Sequence, residues 1–132
     1  MKNWQYIGHE NTPTGYGFHM AAGIRAGQQV FVSGAAAIGE GGKVPAELIG
    51  DVAGQTRATL DEIDRILREA GGSLHDGIKF TVFLPKTEYF RAMNDVWNEY
   101  FVDNGPTRST VQAGLMIPEM LVEIDAIALL DD

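Results

Sequence analysis

The segment at residues 121–130 constrains the fold most, because it has apolar side chains at both sets of alternating positions. Successive side chains of a β-strand point to opposite faces of the sheet. One set here contains Val122 and Ile124, and the other contains Leu121, Ile127 and Leu129. A sheet built from such strands has two apolar faces, and both need to be covered.

Alternating apolar residues and turn residues predict six strands, at about residues 4–7, 18–25, 29–35, 78–84, 107–113 and 121–130. The second and third strands are joined across residues 26–28, which is typical of a hairpin. The sequence predicts a polar loop at residues 8–17, a glycine-bearing loop at residues 36–50 and a turn between the last two strands at residues 114–118.

Two segments have the 3.6-residue periodicity of amphipathic helices. The first runs from Asp51, a plausible N-cap, to Ala70, and two glycines end it. The second begins at Thr87 as its cap and reaches about Val102. Apolar side chains along one face of this second helix include Phe90, Met93 and Trp97.

These elements predict one domain over residues 1–132, with an α/β (α+β) fold in the order β-β-β-α-β-α-β-β. Each helix connects two strands, and right-handed crossovers place both helices on one face of a single mixed sheet. The opposite face is apolar as well, and no third helix is predicted to cover it. We therefore expect a second subunit to cover this face.

Composition excludes several classes of protein. The formal net charge is −8 and the ten Lys and Arg residues are scattered singly, which argues against nucleic acid as a partner. There is no cysteine, so we expect no disulfide, thiolate nucleophile or thiolate zinc site. Apolar runs too short to span a bilayer, and an N-terminus without the apolar core of a signal peptide, predict a cytoplasmic protein with no membrane partner.

The common nucleotide, metal and hydrolase motifs are missing. Residues 39–44 are rich in glycine, but the spacing and the residue after Lys43 do not fit a phosphate-binding loop. His9, His19 and His75 lie in separate elements without the spacing of metal ligands. Ser33 does not lie in a nucleophile elbow, so a serine hydrolase is disfavoured.

Three polar residues lie where apolar neighbours are expected. Arg108 follows Pro106 in a predicted strand, and Glu123 lies within the last strand. If the two strands are antiparallel neighbours, these charges could form a salt bridge. Alternatively, Arg108 could bind a substrate carboxylate in a bidentate manner while Glu123 directs a water molecule. Asn94, at the edge of the apolar helix face, either bonds to nearby backbone or lines such a site.

Taken together, several segments resemble the Rid family of imine and enamine deaminases, also called YjgF-like proteins. The resemblance covers about residues 18–130 and includes Pro-Thr-Arg-Ser at residues 106–109 and Val-Glu-Ile-Asp-Ala-Ile-Ala at residues 122–128. Residues 27–34, 44–46, 55–63, 79–84 and 94–101 also match. The resemblance implies a chorismate-mutase-like fold, a homotrimer with sites between subunits, and hydrolysis of 2-imino acids to 2-keto acids and ammonia without a metal or organic cofactor.

The resemblance also implies roles for single residues. Arg108 would bind the substrate carboxylate, and Glu123 would orient the attacking water. The remaining positions would line the pocket: Ser33, Gly34, Asn94 and Thr110, the last through its backbone carbonyl.

One departure from the family concerns the substrate. Met20 occupies the position of a family tyrosine, and Tyr16 could replace that tyrosine only on a different loop path. Two alternatives to a small imino acid therefore stay open: a larger enamine of the aminomuconate type, and a non-catalytic trimer that binds a carboxylate metabolite or has a regulatory role. Some relatives are labelled ribonucleases, which the acidic charge disfavours.

Overall fold

The predicted order of elements is confirmed in a computed structural model, which describes residues 3–8 and 19–131. The strands are β1 Trp4–Ile7, β2 Gly23–Ala26, β3 Gln29–Ala35, β4 Gly77–Leu84, β5 Thr107–Gln112 and β6 Glu123–Leu129, and the helices are α1 Val52–Glu69 and α2 Phe90–Tyr100. Most of the predicted loop at residues 8–17, including Tyr16, and the start of the predicted second strand lie outside the described residues.

The ends of α1 follow the sequence prediction. The Asp51 side chain caps the helix by accepting a 2.9 Å hydrogen bond from the Gly54 N–H. Gly71 has a φ of 103°, a left-handed value that glycine adopts without a steric cost, and the Gly72 N–H donates to the Leu67 carbonyl oxygen at 2.8 Å. These bonds satisfy backbone groups that the helix itself leaves unpaired.

The predicted bounds of α2 were wrong at both ends. A 3₁₀ turn at Thr87–Tyr89 precedes the helix, so Thr87 lies outside it and gives no side-chain cap. At the other end the Phe101 backbone leaves the helical conformation. The centroid of its ring is 4.6 Å from that of the Trp97 ring, and burial of this aromatic side chain ends the helix before Val102.

The six strands form one mixed sheet in the order β1-β2-β3-β6-β4-β5. The last strand β6 lies between β3 and β4 and is antiparallel to both, whereas β5 pairs only with β4, in parallel. The expectation that β5 and β6 are neighbours was therefore wrong. The reason is the α2 crossover, which returns the chain parallel to β4 on one side and leaves the other side of β4 for β6.

The core lies between the sheet and the two helices. Alternate residues of β6 are buried, beginning with Ile124, and the Phe80 ring of β4 makes edge-to-face contacts with Trp97 at 5.2 Å and with Phe101 at 5.6 Å. Other completely buried side chains come from β3, β4, α1 and α2: Val30, Val82, Leu60, Ile63, Leu67 and Met93.

The face of the sheet opposite the helices, which we call the open face, is apolar and partly exposed. Trp4, Tyr6, Phe31 and Leu129 lie on it with 44 to 53% of their surface exposed. In the described part of the chain neither α1 nor α2 packs on this side. Among the described residues, no helix is long and apolar enough to cross a membrane.

Candidate functional site

Arg108 lies on β5, the edge strand, and faces the helices. It pairs with Phe80 of β4, whose side chain is buried under α2. Its guanidinium carbon is 4.9 Å from the centroid of the Trp97 ring and 5.7 Å from that of Phe90. A guanidinium at this distance is attracted by the electron-rich face of an aromatic ring.

The Arg108 guanidinium has no acidic partner in residues 3–8 and 19–131. The ion pairs found there use Arg57, Arg65 and Arg68, and no hydrogen bond from Arg108 is present within the same residues. Burial lowers the pKa of Arg108, but an arginine keeps its proton at neutral pH. A desolvated cation with free donors is a suitable receptor for a carboxylate.

Asn94 and Thr110 lie beside Arg108. Asn94 is half-buried and lies between Phe90 and Trp97 along one side of α2, so it faces the same space as the two rings. Thr110 follows two positions after Arg108 on the same side of β5 and, with Phe90, lines an open pocket of about 320 Å³. We call these five residues the edge cluster.

Glu123 lies on the open face, at the start of β6. It pairs with Phe83, and its carboxylate makes no hydrogen bond or ion pair to any described residue. Burial raises the pKa of Glu123, and the like charge of Asp125, two positions further along the same side of β6, raises it further. A carboxylate with a raised pKa is better suited to accept a proton from water than an ordinary one.

Gly34 of β3 lies next to Glu123, and Ser33 precedes it in the strand. A Cβ atom at Gly34 would be 3.0 Å from the Glu123 Cδ, so only glycine leaves the carboxylate its present place. The Ser33 hydroxyl donates a 2.7 Å hydrogen bond to the Ala21 carbonyl oxygen. This bond ties the segment with Met20, whose surface is 42% exposed, to β3. We call Glu123, Gly34 and its chain neighbour Ser33 the face cluster, to which the Ser33–Ala21 bond links the segment with Met20.

The two clusters do not meet within one chain. Arg108 is level with Phe80 of β4 and Glu123 is level with Phe83, three residues further on, so the two charges lie on opposite sides of the sheet. Strand spacing puts them roughly 10 Å apart across the sheet and roughly 10 Å apart along it. The salt bridge considered from the sequence does not form, since β4 separates the two strands.

The sequence did not predict that Arg108 lies over two aromatic rings. Phe90 and Trp97 are seven residues apart, the spacing of one helix face, so the sequence predicts only that both belong to the core. Their pairing with an arginine across the sheet edge has no local signal in the sequence. No group of three or more His, Asp or Glu side chains able to hold a metal ion occurs among the described residues.

Comparisons with known proteins agree with this architecture. The family model described as "Endoribonuclease L-PSP" matches residues 11–130. The 3-aminoacrylate deaminase RutC of Acinetobacter baylyi is 39% identical over 119 residues, which are 90% of this chain and 92% of that protein.

Two solved structures from Escherichia coli are similar over most of their length. The YjgF gene product has a TM-score of 0.80 and 31% identity, with 95% of this chain and 98% of that chain covered. TdcF with bound serine has a TM-score of 0.76 and 33% identity, with 86% and 90% covered.

Replacing Gly34 with alanine should move the Glu123 carboxylate without unfolding the protein. The new methyl group requires the Glu123 side chain to shift, and the far end of a flexible side chain moves at little cost. A crystal structure and a thermal melt of Gly34→Ala will test this. Gly27→Ala is not a suitable control because its φ is 64°, whereas Gly105→Ala meets open space. An unmoved Glu123 in Gly34→Ala would contradict the prediction.

Replacing Asp125 with asparagine should lower the pKa of Glu123 but leave it above its ordinary value. The like charge is removed, whereas burial, the larger cause of the raised pKa, stays. The Glu123 carboxyl carbon can be followed by NMR as pH is varied, with Asp95→Asn on the exposed side of α2 as the control for net charge. Because the pKa of Glu123 is raised in the folded protein, the free energy of unfolding falls as pH rises from the ordinary value of this pKa through the raised one. Glu123→Gln should abolish this pH dependence.

Proposed function

Since the chain belongs to the Rid family of YjgF-like proteins, we propose that it is a hydrolytic deaminase of small 2-imino or enamino acids. The observation that supports this most directly is the Arg108 guanidinium, which is stacked on Trp97 and has no carboxylate partner in the described part of the chain. The protein provides a receptor for a carboxylate that it does not itself supply.

The proposed chemistry needs little beyond positioning. An imine carbon is electrophilic, and water adds to it once the two are held together. Arg108 holds the carboxylate of the substrate, and Glu123 orients the water and takes its proton. The C–N bond then breaks, ammonia leaves with the protons it has gained, and a 2-imino acid yields a 2-keto acid. An enamine is first protonated at carbon to the imine, and 3-aminoacrylate, whose nitrogen is on C3, would yield a 3-oxo acid. Most of the rate gain is proximity and orientation, so no activated nucleophile is required.

The relatives favour a small substrate. 3-Aminoacrylate, named for the Acinetobacter relative, and serine, bound in the TdcF structure, are both three-carbon amino carboxylates. We therefore favour a substrate of this size. A larger enamine of the aminomuconate type is the second candidate, because Met20 presents a flexible, unbranched side chain where a family tyrosine would stand.

A homotrimer would complete the site. The edge cluster and the face cluster lie on opposite sides of one sheet, so the edge cluster of one copy has to meet the face cluster of another. A head-to-tail interface that closes into a ring joins the two unlike surfaces in every copy. The same contact would cover the exposed aromatic side chains of the open face, which include Phe31.

Two other functions fit less well. An endoribonuclease has to bind a polyanion, and this chain has a net charge of −8 with no run of basic residues. A non-catalytic carboxylate-binding or regulatory protein would use Arg108 in the same way but would not need Glu123. Turnover by the wild type, with loss of turnover but retained binding in Glu123→Gln, separates an enzyme from such a protein.

Replacing Arg108 with alanine should lower kcat/KM by about 10- to 100-fold, since hydrogen bonds to a charged group contribute ~1.5–3 kcal/mol. The substrate 2-iminopropanoate is generated in the assay from alanine by an amino-acid oxidase, and its decay is followed with and without the protein. Arg108→Lys keeps the positive charge but loses the two parallel N–H donors of the guanidinium, and it should have an intermediate effect on kcat/KM.

Arg68→Ala is the control, because Arg68 is an exposed arginine on α1 whose ion pair with Asp64 lies at the surface. It should hydrolyse the imine like the wild type. If the wild type does not accelerate decay of either 2-iminopropanoate or 3-aminoacrylate, the proposed function is wrong.

Mixing two inactive variants should restore activity if the site is shared between copies. Arg108→Ala retains Glu123, and Glu123→Gln retains Arg108. When the two are unfolded together and refolded at equal amounts, about a quarter of all sites should combine both intact residues, as in any head-to-tail assembly. Imine hydrolysis by the mixture measures this.

The double variant with both substitutions in one chain, refolded with the wild type, gives the complementary control. A site between a double-variant copy and a wild-type copy has only one intact residue, which the wild-type copy supplies, so activity comes only from sites between two wild-type copies. A mixture of single variants that stays inactive would show that Arg108 and Glu123 do not act in one shared site.

A further inference from the structure

Gln55 is a completely buried polar residue in the first turn of α1. Its amide nitrogen donates hydrogen bonds to the carbonyl oxygens of Leu48, at 2.9 Å, and Glu119, at 3.1 Å. Its amide oxygen accepts a 2.9 Å hydrogen bond from the Leu121 N–H. A buried amide is costly unless it is paired in this way, and here both ends of the amide are occupied.

Two of these bonds hold the segment directly before β6. Glu119 offers its carbonyl and Leu121 its N–H, two residues apart, as one edge of an extended strand does. The paired part of β6 begins only at Glu123, opposite Phe83. The Gln55 amide therefore takes the place of a neighbouring strand and holds the backbone two residues ahead of Glu123.

The place of the Glu123 carboxylate depends on this backbone. No hydrogen bond or ion pair from a described residue holds the carboxylate itself, so its position is set by the course of β6 and by its contact with Gly34. That contact leaves no space for a Cβ atom. A small displacement of the strand start would therefore move the carboxylate by a similar distance.

We propose that Gln55 is a positioning residue for Glu123. Through Glu119 and Leu121 it sets the start of β6, and thereby the point at which the carboxylate meets the water and the substrate. Through Leu48 it ties the 3₁₀ turn Ala46–Leu48 to the same point. The catalytic part of this inference rests on the proposed deaminase function, whereas the structural part concerns Gln55 and Glu123 alone.

The test compares Gln55→Leu with Thr56→Val. Thr56 is also completely buried on α1, but its hydroxyl donates only to the Val52 carbonyl oxygen, within the helix. Both variants lose buried hydrogen bonds, and only the first releases Leu121. Misplacement of a reacting group by about 1 Å costs on the order of 100-fold. We expect kcat for 2-iminopropanoate to fall about 10- to 100-fold in Gln55→Leu relative to Thr56→Val, while KM, set by Arg108, changes little.

Two NMR readouts do not depend on activity. In Gln55→Leu the Leu121 amide should exchange faster with solvent, because its acceptor is gone. The pKa of Glu123 should change as the carboxylate moves, since its burial and its distance from Asp125 are what raise that pKa. Neither should change in Thr56→Val. If Gln55→Leu does not fold, Gln55→Met keeps the length of the side chain and is measured instead.

The outcomes separate the two proposals. If the wild type is inactive on imines, the proposed function fails, and a Glu123 pKa that still changes in Gln55→Leu but not in Thr56→Val supports the positioning role. If the wild type is active, a kcat equal to that of Thr56→Val together with an unchanged Glu123 pKa overturns that role. An equal loss of kcat in both variants also overturns it, since destabilised packing alone would then explain the loss.

Discussion

The pairing of β6 with β3 on one side and β4 on the other is the constraint on which the rest of the structure depends. Its register turns Val122 and Ile124 into the core and Glu123 to the open face. A shift by one residue would exchange the two sets and bury the carboxylate without a partner. Burial of the apolar set therefore also fixes the place of the acid.

A second consequence of this order is that Arg108 and Glu123 lie apart within one chain. β4 lies between β5 and β6, so Arg108 stacks under α2 while Glu123 lies on the other side of the sheet. Each charge lacks a partner in the described part of its own chain. The proposed contact between copies would account for both the bare apolar face and the two unpaired charges.

The sequence was informative wherever local pattern decides. The periodicity of α1, its Asp51 cap and the alternation along β6 each match the structure closely, because side-chain direction repeats with the local backbone. The start of α2 was missed because a 3₁₀ turn and a helix share similar residue preferences. The arrangement considered from the sequence, with β5 and β6 as neighbours, was wrong because pairing between distant segments decides strand order.

The sequence alone predicts the order of the elements and a sheet with two apolar faces, of which two helices cover only one. It also identifies the family whose resemblance implies roles for Arg108 and Glu123. Only the tertiary structure decided that these two charges face opposite ways, that Arg108 rests on Trp97, and that Gln55 holds the backbone before Glu123. The physical reason is the distance along the chain over which each interaction acts. Alternation and capping act within a few residues, whereas these contacts join segments whose separation along the chain leaves no local trace.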